Sequence, residues 1–211
     1  SQPCLVGSEM CIRDSYEFYN DGRFRVSCAS LGRGCGNTGT YRPVFRIAFA
    51  GEKNNFFEHS NTGWLPWQKE QWQLQASTTT YTPEGYQYKI QRDTDGYFME
   101  PGRGQFGDGG RGDFAYVYVT RHDASRDEGE SDLVTIGPCC NTDYRQGPEK
   151  FIEPNAESLQ NTSLVLWYVA QLRNDDRTGS EYCWADNEIR DGVYETKVYP
   201  CFAGPMFVPV K

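Results

Sequence analysis

Residues 164–174, LVLWYVAQLRN, form an apolar, β-branched and aromatic stretch that turns polar at Arg173 and Asn174. That pattern predicts a strand half buried in a sheet. Related patterns recur along the chain. YEFYNDGRFRV (16–26) places aromatic and apolar positions on either side of Asn20-Asp21-Gly22 and reads as a hairpin. YRPVFRIAF (41–49) reads as a strand with a proline near its start, where a missing N–H is tolerated. GWLPWQKEQWQLQAS (63–77) alternates after Trp72 and should enter a strand there. GYQYKIQ (85–91) is a short strand closed by the turn Asp93-Thr94-Asp95-Gly96, and FAYVYVTR (114–121) is another strand. CASLGRGCGNTG (28–39) and MEPGRGQFGDGGRGD (99–113) are glycine loops, and 123–162 is mainly loop. From Tyr182 to Val210 short extended pieces alternate with turns. No long amphipathic helix and no internal repeat interrupts the series. The expected architecture is an all-β antiparallel β-sandwich with few or no helices.

Composition narrows the picture. The 211 residues suit a single all-β domain, expected over 16–211. Aromatic residues make up 15 % and glycines number 22, a balance that favours strands and turns. Net charge is −8 and no Lys/Arg-rich run occurs, which argues against a nucleic-acid partner. No apolar stretch is long enough for a membrane span. Residues 1–15, SQPCLVGSEMCIRDS, lack the basic start and sustained apolar core of a secretory signal. They resemble the translated adapter sequence found at the ends of metagenomic reading frames, and are expected to lie outside the domain.

Of the 8 cysteines, Cys4 and Cys11 fall in that leader. Cys28, Cys35, Cys139, Cys140, Cys183 and Cys201 show no C-x-x-C spacing, and read better as disulfides than as zinc ligands. Disulfides imply an oxidising compartment, hence a secreted, extracellular or periplasmic protein. Cys28–Cys35 and Cys183–Cys201 are the expected pairs, because each brackets a glycine-containing turn region. The adjacent Cys139 and Cys140 would take separate partners.

Taken in order, EFYNDGRFRV, FRIAF, FAYVYVTRHD, IEPNAESLQNTSLVLWYVA and CFAGPMFVP resemble the C-terminal catalytic domain of copper amine oxidases over about residues 16–209, most specifically at QNTSLVLWY (160–168). The resemblance implies a copper ion held by three histidines, and imidazole suits that metal. Its His-x-His pair falls at Gly39 and Tyr41, and its third histidine at Asn174. The chain's two histidines, His59 and His122, align with none of these positions. The peripheral calcium acids of some relatives fall at Ala48, Ala50 and Ser163, and the tyrosine that becomes topaquinone falls at Met10. The catalytic aspartate lies upstream of the sequence. No copper or topaquinone is therefore expected. The chain reads as a non-catalytic secreted binding or structural module. The alternative is an incomplete fragment of a genuine primary-amine oxidase, performing copper- and topaquinone-dependent oxidative deamination. The resemblance also implies a homodimer, although the arms that build it are not recognisable.

The remaining motifs weigh less. Arg111-Gly112-Asp113 is an RGD triplet in a glycine loop, where an adhesive role competes with chance composition. Asp93-x-Asp95-Gly96 lacks the later ligands of a calcium loop and reads as a plain turn. His59 follows Glu58 and His122 precedes Asp123, but no nucleophile motif accompanies either. Asn161-Thr162-Ser163 is a glycosylation sequon. Trp64, Trp67 and Trp72 offer an aromatic platform for a glycan or protein ligand, with core packing as the commoner fate.

Overall fold

A computed structural model describes residues 12–30, 39–76, 79–102, 113–125, 147–152 and 154–210. Among them run fifteen strands: β1 (Ile12–Phe18), β2 (Phe24–Ser30), β3 (Thr40–Tyr41), β4 (Val44–Ser60), β5 (Gly63–Pro66), β6 (Gln71–Leu74), β7 (Tyr88–Arg92), β8 (Asp95–Glu100), β9 (Tyr116–Arg121), β10 (Thr162–Val169), β11 (Leu172–Arg173), β12 (Trp184–Arg190), β13 (Val193–Tyr199), β14 (Cys201–Ala203) and β15 (Met206–Pro209). A single 3₁₀ turn, Pro148–Phe151, is the only helical element among the described residues. The fold is the expected all-β antiparallel sandwich.

Eleven strands form one continuous ladder in the order β1-β2-β15-β8-β7-β4-β10-β9-β6, with β14 also on β2 and β5 on β4. The 17-residue β4 makes this ladder a two-layer structure. Its first part pairs Val44–Phe49 with β10, and its second pairs Asn55–Glu58 with β7. Between the two, Gly51 (φ 87°) and Lys53 (φ 69°) take left-handed backbone, and the register to β10 slips between Thr162 and Leu164. Bulges of this kind bend a strand and let it serve two sheets. The Asn54 side chain donates to the Gly51 carbonyl at 2.8 Å and holds the bend. The main core fills the space between the layers, with Phe45 and Phe56 from β4, Tyr88 and Ile90 from β7, Val117 and Val119 from β9, and Leu164, Leu166 and Tyr168 from β10.

The hairpin expected at 16–26 forms as β1–β2, with Phe18 opposite Phe24. Two expectations change. Strand β1 starts at Ile12, so the paired sheet extends into the segment expected to lie outside the domain. Strand β10 is buried on both faces, not half buried. Its second face, Val165, Trp167 and Val169, packs under the 3₁₀ turn, where the Phe151 ring stacks on Trp167 at 5.3 Å. A covering turn supplied by a separate part of the chain leaves no periodic trace in the strand, so the expectation of one solvated face missed it.

Candidate functional site

The positions where the resemblance places copper ligands lie at one corner of the sandwich. Strands β3 and β11 pair with Leu172 opposite Tyr41 and Arg173 opposite Thr40. The next residue, Asn174, donates its backbone N–H to the Gly39 carbonyl at 3.0 Å. A Cβ on Gly39 would stand 3.9 Å from Asn174 Nδ2 and 3.9 Å from Tyr41 Oη. Gly39, Tyr41 and Asn174 are thus brought together, and Asn174 is buried. The donors there are a phenol and a neutral amide, with only a hydrogen atom at residue 39. This set does not fit copper, which these positions would need imidazoles to hold. His59 lies elsewhere, on β4 opposite Trp64 of β5. His122 follows β9 and donates its N–H to the Ser163 carbonyl at 2.8 Å.

At the calcium-equivalent positions, Ala48 sits opposite Val165 in the β4–β10 ladder. The Ser163 hydroxyl donates to the Gly51 carbonyl at 3.1 Å. The side chain of Ala50 lies outside the described residues, as do Met10 and Cys4, Cys11, Cys35, Cys139 and Cys140. No cluster of three or more His, Cys, Asp or Glu side chains suited to a metal occurs among the described residues.

The most concentrated polar chemistry is a buried network that sequence reasoning missed. Asp113 is 1 % exposed. Its carboxylate accepts the Tyr168 hydroxyl at 2.6 Å, the Gly102 N–H at 2.8 Å and the Gly204 N–H at 3.2 Å. Burial raises the Asp113 carboxyl above its usual value, although all three of these hydrogen bonds pull the other way. Burial, followed by the Asp113 charge, pushes the Tyr168 phenol well above its usual range. Gln75 extends the network, its side-chain oxygen accepting the Ala115 N–H at 3.0 Å and lying 3.3 Å from Tyr168 Oη. A second group sits around Tyr88, whose hydroxyl accepts from Gln87 Nε2 at 2.8 Å and faces Gln73 Oε1 at 3.4 Å. Glycine is required at both partners of Asp113. A Cβ on Gly102 would collide with the carboxylate, and one on Gly204 (φ 136°) with the Val26 carbonyl.

This arrangement ties Gly102, the end of β10 and the segment between β14 and β15 to one carboxylate. It also argues against the adhesive reading of the RGD triplet and for chance composition, since its aspartate is buried and accepts three internal donors. Glu70 performs a similar task, accepting the Arg121 N–H at 2.9 Å and the Glu157 N–H at 2.8 Å through its two oxygens. No local signal marks either acid, because their partners lie far away in sequence.

Cys183 and Cys201 form the expected disulfide, with Cα atoms 4.8 Å apart. Such a bond is compatible with an oxidising environment. Cys28 is instead a free, buried thiol, so the expected Cys28–Cys35 pair is not formed. It sits in β2 opposite Asp14 of β1 and Ala203 of β14, and its side chain joins the core. Burial, then the Asp14 charge, push its thiol up to about 11, which keeps it protonated and unreactive.

The three tryptophans do not share a platform. Trp67 is core, packed on Phe56 at 4.9 Å and donating to Glu58 at 3.2 Å. Trp64 packs on Phe98 at 5.6 Å with the Lys89 ammonium above it at 5.1 Å. Trp72 is 39 % exposed and stacks on Tyr118 at 5.6 Å. The Asp93–Gly96 stretch is the plain turn between β7 and β8, with Asp93 at φ 50°. Asn161 of the sequon is exposed immediately before β10. No helix among the described residues is long and apolar enough to cross a membrane. No protein-family model, no curated protein and no solved structure matches the chain.

Proposed function

We propose that this chain is a copper amine oxidase-like β-sandwich without copper or topaquinone chemistry, exported to an oxidising compartment and acting as a non-catalytic binding or structural module. One observation carries the reading. Three positions that the resemblance assigns to copper ligands meet at a single corner, and the groups there are Gly39, Tyr41 and Asn174. Three converging positions without imidazoles are what loss of a copper site would leave behind, which supports the reading.

The test is metal analysis of the purified protein after incubation with cupric ion and dialysis. Wild-type protein should retain no stoichiometric copper and give no quinone stain. The combined variant Gly39→His, Tyr41→His, Asn174→His should take up one copper per chain. Tight copper binding by the wild type would overturn the proposal in favour of a genuine amine oxidase. Failure of a folded triple variant to bind copper would refute the assignment of this corner.

A further inference from the structure

The outer face of the layer β5-β4-β7-β8-β15 carries a row of directly opposed residues. Pro66 stands opposite Phe57, Phe57 opposite Lys89, Lys89 opposite Phe98 and Phe98 opposite Val208. Opposed residues share one face of a sheet. Their chain neighbours Phe56, Tyr88, Ile90, Met99 and Phe207 belong to the core, so the row points away from it. Trp64, opposite His59, joins the row by packing on Phe98 at 5.6 Å, and the Tyr86 ring stacks on Phe98 at 4.9 Å. Each side chain of the row keeps part of its surface in solvent. The solvated face of an antiparallel sheet is ordinarily polar, and here it is aromatic. Contiguous apolar surface of this kind marks an interaction site.

Lys89 points to what that site takes. Its ammonium stands over the Phe57 ring at 4.7 Å and the Trp64 ring at 5.1 Å. No carboxylate of the described residues lies within ion-pair distance of it. Burial lowers its pKa from the usual value, and ring faces make up only part of the hydration it has lost. A carboxylate brought to this point therefore gains more than it would at an open surface lysine. The net charge of −8 repels anions at a distance, but that field is screened beyond about 8 Å at physiological ionic strength and the Lys89 contact is not. Glu84 and Glu100 lie near Tyr86, which restricts the favourable position for a negative charge to Lys89. The rings supply the rest of the selection. A pyranose has C–H groups on its flat sides to rest on aromatic rings, and hydroxyls round its edge that stay in water; a half-open row of rings suits both. An acidic peptide would use the ammonium and leave the rings without a role. We propose that this face binds a glycan containing uronic acid, its sugar rings lying across Trp64, Phe57 and Phe98 and a uronate carboxylate meeting the Lys89 ammonium. The inference rests on the proposed function only in taking the chain for a binding module. Copper content and sugar binding are separate readouts, so either can fail while the other stands.

The experiment is isothermal titration of the intact protein with oligomers of galacturonate, mannuronate and glucuronate, with their carboxyl-reduced neutral counterparts, and with oligoglutamate. At least one uronate should bind, and its neutral counterpart should bind about tenfold more weakly or worse. Lys89→Gln and Trp64→Ala, each with unchanged far-ultraviolet dichroism, should weaken binding about tenfold or more. Lys197→Gln removes an equal charge from β13 and should bind like the wild type. Absence of binding to all three uronates, equal binding of the neutral counterparts or of oligoglutamate, unchanged binding by Lys89→Gln or Trp64→Ala, or weakened binding by Lys197→Gln would each overturn the proposal.

Discussion

Asp113 offers the sharpest test of how this sandwich is held together. Truncation in Asp113→Ala strands the Gly102 and Gly204 N–H groups inside the protein. Tyr168 fares better, because its hydroxyl can turn to Gln75 Oε1, 3.3 Å away. Each orphaned buried donor costs about 1–3 kcal/mol. Two of them give about 2–6 kcal/mol, partly offset because a buried carboxylate no longer has to be desolvated. A net loss of about 3 kcal/mol is expected, a large share of the roughly 5–15 kcal/mol that stabilises a domain. Tyr168→Phe leaves both glycine N–H groups paired and removes one hydrogen bond to a charged group, so its cost should be smaller, about 1.5–3 kcal/mol.

Urea unfolding of the wild type and Asp113→Asn across pH exposes the electrostatic part. Burial raises the folded carboxyl pKa above the usual 3.8. Protonation therefore favours the folded state. The contribution is fully present below the unfolded value and is lost as pH rises through the folded one. The margin of wild type over Asp113→Asn should be largest in acid and shrink towards neutrality. A margin that grows with pH would show that the three donors outweigh desolvation, and would refute this account of the network.

Two further outcomes follow from the packing. Replacing both Cys183 and Cys201 by serine opens a loop of sequence separation 18 and should cost about 3 kcal/mol, with faster amide exchange concentrated in β12–β13; unchanged exchange there would show that the clamp is not what orders the hairpin. Trp67→Ala should cost about 3–5 kcal/mol, whereas Trp72→Ala, on a half-open edge strand, should cost about 1 kcal/mol; equal costs would contradict the separation of the two rings into core and surface.

How much of this was readable beforehand depended on the range of the deciding contact. The β1–β2 hairpin and the turn into β8 were legible because period-two alternation and Asn-Asp-Gly or Asp-Thr-Asp-Gly turns are local signals. Strand β4 was visible only to Phe49. Its continuation depends on the bend at Gly51 and Lys53, and that bend is useful only because β7 lies in the other layer. Gln73, Gln75 and Gln87 look like surface residues in the sequence, yet they surround buried tyrosine hydroxyls. Cys28, next to a glycine loop, suggested a short-range disulfide, but the alternation of β2 turns its thiol into the core.

The same argument sets the value of a motif against that of a place. Arg111-Gly112-Asp113 is a perfect triplet by spelling, and its aspartate is spent on Tyr168, Gly102 and Gly204. Gly39, Tyr41 and Asn174 spell nothing, yet the pairing of Leu172 with Tyr41 brings them together, with the Asn174 N–H donating to the Gly39 carbonyl. The resemblance selected those three positions by counting from FRI (45–47) and Trp167, before the β3–β11 pairing was known. Had they been scattered over separate strands, the absence of histidine at each would carry no chemical meaning. Because they converge, placing imidazoles at that corner is a constructive experiment, and the copper content of the triple variant measures whether these three positions have the geometry that a copper ion needs.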